Sequence, residues 1–308
     1  MEYKRTVKRD IALAGIGLHT GRRVTIRIRP NHDDTGIVFV RTDLDGNNVV
    51  PARVPYIVDT RFATTIGRGN CVISTVEHLM AAFAGCGVDS AVVEIDGPEV
   101  PVFDGSAAPF VALIKETGTK RTAHPKTYLK ILKEISVSDG DKKVTLRPCD
   151  CFKVDFRIEF DHPVISSQRF KGKISEKTFK KRIAIARTFG FLRDVELLKK
   201  NGLARGGSLD NAIVIGDDRI LNEEGLRFSD EFVRHKVLDL VGDLYLLGAP
   251  LRAEVKAVKS GHGLHAALAR KLLENPHCWE LVEAKGRLAD WAIPQMIPQG
   301  AGAAAAAI

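Results

Sequence analysis

Two patterns in this sequence have the spacing of chemistry. In the string FVRHKVLDLVGD, His235 and Asp239 stand four residues apart. Helix positions i and i+4 share a face, so an imidazole and a carboxylate there can approach one divalent cation. Asp243 extends the stripe by a further turn and has the chemistry to orient a second imidazole. The same spacing fits an amphipathic helix with a solvated polar stripe, and taken alone it favours that plainer reading. Glu77 and His78 are adjacent in STVEHLMAA. Neutral histidine is a good zinc ligand, and carboxylates serve as general bases beside a catalytic metal. On a helix the two side chains point about 100° apart, so both can reach a site near the first turn. Against this, Ser74-Thr75-Val76-Glu77 matches a capping box, which would employ Glu77 to hold the helix start. His78 also fits a hydrogen-bonded core histidine.

A third candidate is His262 in KSGHGLHAAL, in the first turn of an expected helix and suited to act as a general acid. His265, three residues on, competes with it, and the plainer reading leaves one of the two on the helix surface. The glycine-rich string GIGLHTG has the spacing GxGxxxG. That is a weak dinucleotide fingerprint, and a tight turn between strands is expected there instead. The sequence contains neither a GxxxxGK[ST] loop nor a GxSxG elbow. Five cysteines, Cys71, Cys86, Cys149, Cys151 and Cys278, lack the CxxC pairs of a zinc knuckle and read as reduced thiols.

The elements that must position these residues follow from periodicity. Residues 22–29 (RRVTIRIR) and 143–147 (KVTLR) alternate apolar and polar positions, as half-buried strands do. Each is followed by a second strand-like run, at 36–40 and 152–160. Later in each half come a helix, a strand and another helix: 75–84, 90–95 and 108–117, then 230–247, 251–258 and 262–273. This recurrence suggests an internal duplication. Helices are also expected at 175–186 and 194–200, with an apolar run at 212–215. The polar, basic stretch 117–126 reads as a linker. The expected fold is α+β: two related domains, 1–120 and 127–280, each a small sheet layered against two helices, with the active site between them. Residues 281–308 read as an extension ending in a low-complexity tail.

With 308 residues and 44% hydrophobic positions, the chain has ordinary globular composition. No stretch approaches the roughly 18 apolar residues of a spanning helix. The charged start MEYKRTVKRD does not read as a signal peptide, so a cytoplasmic location is expected. The net charge of +8 suits nucleic acid, a membrane surface or a phosphorylated small molecule, and selects none of them. Basic strings such as Lys180-Lys181-Arg182 and Lys199-Lys200 fit a solvated face. No nucleic-acid-binding signature accompanies them, so no nucleic-acid partner is expected. A lipid-binding protein without hydrolytic activity is a further alternative.

The strings GIGLHTG, STVEHLMAAFAG, DGSAAPF, RTFGFLRD, GLRFSDEFVRHKVLDLVGDL and KSGHGLH occur here in one order. Together they closely resemble the zinc-dependent UDP-3-O-acyl-N-acetylglucosamine deacetylases of lipid A biosynthesis, over about residues 4–279. The resemblance implies one zinc held by His78, His235 and Asp239, with ferrous iron as an alternative metal. It implies Glu77 as general base and His262 as the cationic histidine, with Lys236, Thr188 and Asp243 also in the active site. The reaction implied is amide hydrolysis: Glu77 accepts a proton from the attacking water, Thr188 and Lys236 stabilise the oxyanion, and His262, supported by Asp243, protonates the leaving amine.

The resemblance also assigns the substrate's parts. An inserted strand–helix–strand segment, about residues 191–214, would form an apolar passage for the acyl chain, lined by Phe191, Leu198, Leu203, Ala212 and Val214. Lys259 and Lys142 would meet the diphosphate, Phe160 would stack on the uracil, and Asp194 and His19 would lie near the sugar. A monomer acting on a small molecule is expected. One departure stands out: the family commonly has asparagine where this chain has His265.

Overall fold

The computed structural model describes residues 2–284. Its α-helices are α1 (Glu77–Cys86), α2 (Ala108–Thr117), α3 (Glu176–Thr178), α4 (Leu192–Lys200), α5 (Glu231–Tyr245) and α6 (His262–Leu273), combined with several sheets in an α+β fold. None of these helices is long and apolar enough to cross a membrane.

One five-stranded sheet has the spatial order Ile11–Ile16, Arg23–Pro30, Ala91–Ile95, Ile37–Arg41, Val49–Pro51. Its second strand shows why the sequence chose this conformation. Val24, Ile26 and Ile28 are buried while Arg23, Thr25 and Arg27 face out, so a period of two matches one covered face. A seven-stranded sheet repeats the plan. Ile135–Asp139 pairs with Lys142–Pro148, which pairs antiparallel with Leu251–Val258; Lys153–Glu159 then pairs parallel with Leu251–Val258 and antiparallel with Ser167–Lys173. In the first sheet, Ala91–Ile95 likewise takes one antiparallel and one parallel neighbour. The sequence repeat therefore has a counterpart in strand topology.

Three expectations change. The stretch 117–126 is not a free linker, because Thr119–Pro125 forms a strand antiparallel to Tyr3–Val7. It reads as polar because only Thr122 is buried, as in a two-stranded ribbon facing solvent. The expected helix 175–186 is one α turn followed by a wider turn over Phe179–Ile183, closed by the Ala184 N–H donating to the Phe179 carbonyl. In addition, residues 281–283 complete the strand Trp279–Glu283, which pairs with Thr127–Ile131 in the larger sheet. The alanine-rich tail lies outside the described residues.

Helices α1 and α5 meet at the centre of the molecule. Their approach depends on Gly242: a Cβ there would run into the backbone carbonyl of Glu77. At an exposed helix position, Gly→Ala is stabilising by about 0.5–1 kcal/mol. Here the sign should reverse. Gly242→Ala is expected to destabilise the fold by about 1–3 kcal/mol through overpacking, read as a lowered urea midpoint with an unchanged slope.

Candidate active site

Helix α5 is buried along almost its whole length. Glu231, His235, Asp239 and Asp243 form a stripe with strict four-residue spacing, and all four are buried. A solvated polar stripe is thereby excluded. Burying such groups is costly unless each finds a partner, and the partners make the site.

His78 enters from the first turn of α1. Its Nε2 lies 3.6 Å from Asp239 Oδ1, and His235 Nε2 lies 3.3 Å from the same oxygen. The two imidazoles meet edge to face with centroids 5.0 Å apart. Potential ligand atoms of His78, His235 and Asp239 all lie within 4.8 Å of one another.

The local chemistry tests whether a cation fits. His235 Nδ1 lies 3.1 Å from the Ala186 carbonyl, which can only accept, so Nδ1 carries the hydrogen. Burial pushes His235 down to about 3, so the ring is neutral and Nε2 presents a bare lone pair. That lone pair faces a carboxylate oxygen. Asp239 stays ionised: burial opposes its charge, but the Lys236 ammonium, with His78 and His262 nearby, outweighs it and holds it well below the usual carboxylate range. Two acceptors at 3.3 Å repel unless a cation lies between them, so the donor set suits a divalent metal. His78 Nδ1 is buried without a hydrogen-bond partner.

Glu77 is beside this cluster and 3% exposed. Its Oε2 accepts the Thr64 N–H at 3.0 Å. The capping-box expectation fails. Thr75 has a left-handed φ of 58°, so the helix starts two residues later than expected, and its N-cap, Val76, offers no side-chain bond. Burial raises the Glu77 carboxyl above its ordinary value, against the nearby His262 and His78.

Asp243 collects the remaining groups. Its Oδ2 lies 2.8 Å from His262 Nδ1 and 2.7 Å from His265 Nδ1. Its Oδ1 accepts the Thr64 hydroxyl at 2.6 Å. Burial alone would lower His262, but the charge and hydrogen bond of Asp243, with Asp239 and Glu77 beyond, raise it to about 9. His265 is not on the surface but 0% exposed. Lys236 Nζ donates to Asp239 Oδ2 at 2.9 Å; burial acts to lower this ammonium, and Asp239 outweighs it. Thr188 is partly exposed, two residues beyond the carbonyl that orients His235, and its backbone N–H donates to Gly105.

Further out, partly exposed Phe160 contacts Phe189 and Phe191 at 5.9 Å each, and Phe189 lies 6.2 Å from His235. Ala212 and Val214 are half-buried while Ile213 and Ile215 are core, so the strand presents an open face; Phe191, Leu198 and Leu203 are half-buried too. Lys259 is engaged by Asp141 at 2.7 Å and Glu159 at 3.7 Å. Lys142 and Asp194 are exposed. His19 lies in the turn of GIGLHTG, and both of its ring nitrogens are buried without partners. The His19 and Thr20 N–H groups donate to the Glu99 carboxylate, which takes the place an anionic ligand would need there.

Thr64 and Glu99 were not signalled by spacing. Thr64 joins Glu77 to Asp243, partners 13 and 179 residues away. Glu99 is fully buried and also accepts from Thr75.

Residues 4–274 match the UDP-3-O-acyl N-acetylglycosamine deacetylase family. The chain is 51% identical to the UDP-3-O-acyl-N-acetylglucosamine deacetylase of Syntrophotalea carbinolica over 284 residues, 92% of each chain. It is 52% identical to that of Myxococcus xanthus, over 92% of this chain and 90% of the relative. With the counterpart in Acidithiobacillus ferrooxidans it shares 50% over 94% of this chain and 96% of the relative. A match of this length, running through every residue of the buried cluster, means that the chain belongs to the UDP-3-O-acyl N-acetylglycosamine deacetylase family.

Proposed function

We propose that this chain hydrolyses the N-acetyl group of UDP-3-O-acyl-N-acetylglucosamine, releasing acetate and UDP-3-O-acyl-glucosamine for lipid A biosynthesis. His78, His235 and Asp239 would hold one divalent cation: zinc, with ferrous iron as the alternative, since both accept nitrogen and oxygen ligands. Bound there, the cation supplies Lewis acidity, which polarises an amide carbonyl and makes water more acidic.

The chain's own groups do the rest. Glu77 accepts a proton from the attacking water, its carboxylate aimed by the Thr64 N–H. The Thr188 hydroxyl and Lys236 ammonium donate to the developing oxyanion. An amine leaves poorly unless protonated, and the His262 imidazolium, held by Asp243, supplies that proton. The observation that carries this reading is the convergence of three buried potential ligand groups beside a buried carboxylate, Glu77, and a histidine, His262, whose ring is bonded to Asp243.

The substrate contacts belong to the same proposal. Phe160 stacks on the uracil, and Lys142 meets the diphosphate together with Lys259, exchanged from Asp141 and Glu159. The half-buried face of Phe191, Leu198, Leu203, Ala212 and Val214 takes the acyl chain. Asp194 and His19 lie toward the sugar. Domains 1–120 and 127–280 contribute one and two metal ligands respectively, in a cytoplasmic monomer with no nucleic-acid partner.

The test is acetate release from the UDP-sugar coupled to metal analysis. A chelator should abolish turnover and zinc should restore it. Undiminished release from metal-free protein would overturn the reading.

A pH dependence follows. Turnover needs Glu77 ionised, so the rate rises with pH through that carboxyl's titration, which burial raises and a bound cation lowers. It also needs His262 protonated, so the rate falls as pH climbs through His262's titration. That alkaline limb is expected at or below about 9, because a divalent cation favours the neutral imidazole. The limb should vanish from the kcat profile of His262→Asn.

A further inference from the structure

We propose that His265 is a positioning residue for the reaction: its imidazole braces the Asp243 carboxylate so that Asp243 holds the His262 ring in its working orientation. The proposal rests on the reading of His262 as the proton donor.

Four groups are arranged in series. Ser260 Oγ lies 3.0 Å from His265 Nε2, His265 Nδ1 lies 2.7 Å from Asp243 Oδ2, and the same oxygen lies 2.8 Å from His262 Nδ1. Hydrogen positions follow by elimination. Asp243 is ionised, since the charge of His262 and the hydrogen bonds of both histidines outweigh its burial, so Oδ2 can only accept. Both Nδ1 atoms must therefore carry hydrogens. Burial lowers His265, which leaves its ring neutral and Nε2 bare. The Ser260 hydroxyl, 5% exposed at the residue level, donates into that lone pair.

The consequence is mechanical. A carboxylate turns about one side-chain torsion, and the Thr64 hydroxyl restrains only Oδ1. His262 is the ring to be aimed, so its bond cannot be counted on to fix Asp243. The second donor on Oδ2 comes from a fully buried ring one helical turn along α6, itself held by Ser260 and packed edge-on against Phe156 at 6.2 Å. His265 thus gives the carboxylate a second, fixed donor on the same oxygen that His262 uses. It touches none of the metal-ligating groups by a hydrogen bond, so its effect must pass through Asp243.

Steady-state kinetics of the metal-loaded enzyme test this in a double-mutant cycle. His265→Leu is expected to lower kcat about 10–100-fold while leaving KM within about twofold, the range for a group that orients a functional side chain. His265→Asn can still present an amide N–H toward Asp243, and should recover most of the loss. In an Asp243→Asn background, His265→Leu should add less than about a threefold loss. Ser260→Ala, a small deletion, is the second route should His265→Leu not fold: it is expected to lower kcat about 3–10-fold, again only when Asp243 is present. The inference is overturned if His265→Leu, or Ser260→Ala in its place, keeps the parent kcat, or if the losses multiply fully with that of Asp243→Asn. A fully active His262→Asn enzyme would instead remove the proton-donor reading, so the two failures are distinct.

Discussion

Glu77→Gln should keep one metal per chain and lose about 10²–10⁴-fold in kcat. The substitution separates two roles that the sequence leaves entangled. A capping box accepts glutamate or glutamine at its fourth position, because either side chain can reach back to a backbone N–H. If Glu77 served only to begin α1, glutamine would serve equally well. The geometry removes that role, since Glu77 Oε2 is occupied by the Thr64 N–H and the helix N-cap is Val76. Glutamine is nearly isosteric and its amide oxygen can still accept from Thr64, so packing at the α1–α5 crossing is preserved. What is lost is the ability to take a proton from water. Metal analysis, KM and kcat measured together check the expectation. Unchanged kcat would return Glu77 to a structural role, and loss of metal would make it part of the ligand set.

The features that could be read in the sequence were those with a local period. Helix α5 and the Leu251–Val258 strand follow from apolar spacing within a single window, and the stripe His235, Asp239, Asp243 follows from four-residue helical spacing. The duplicated order of strands and helices was visible for the same reason, although the ribbon of Thr119–Pro125 was not: its partner strand, Tyr3–Val7, is more than 110 residues away. Thr64 is the sharpest case. A threonine has no distinctive spacing, yet its backbone and hydroxyl tie the proposed base to the carboxylate behind the proposed acid. Burial was equally invisible. The α5 stripe fits a solvated face until packing covers it, and only then does the facing of His235 Nε2 onto Asp239 Oδ1 acquire its meaning. The family resemblance supplied what periodicity could not, namely which histidine of the first half would join the two candidate ligands of the second.

His235→Ala should lose both metal and activity, with residual turnover at least about 10³-fold below the parent, since several kcal/mol of charge stabilisation leave with the cation. The ring does two jobs. Its Nε2 lone pair faces Asp239 Oδ1, and its Nδ1 hydrogen bonds the Ala186 carbonyl, fixing both the tautomer and the loop that leads to Thr188. Removing it leaves two candidate ligands, His78 and Asp239, which is too few for a tight catalytic site. Asp239 keeps its bond from Lys236 and can settle into a simple ion pair, so the apo cluster has a stable alternative and no reason to recapture metal. The Ala186 carbonyl, buried behind the ring, loses its donor, so the melting temperature should fall as well. Metal content distinguishes this variant from Glu77→Gln: one keeps the cation without turnover, the other keeps neither. A His235→Ala protein that retained a full equivalent of metal would mean that the ligand set lies elsewhere. The second grouping of Asp243, His262 and His265 would then have to be considered in its place.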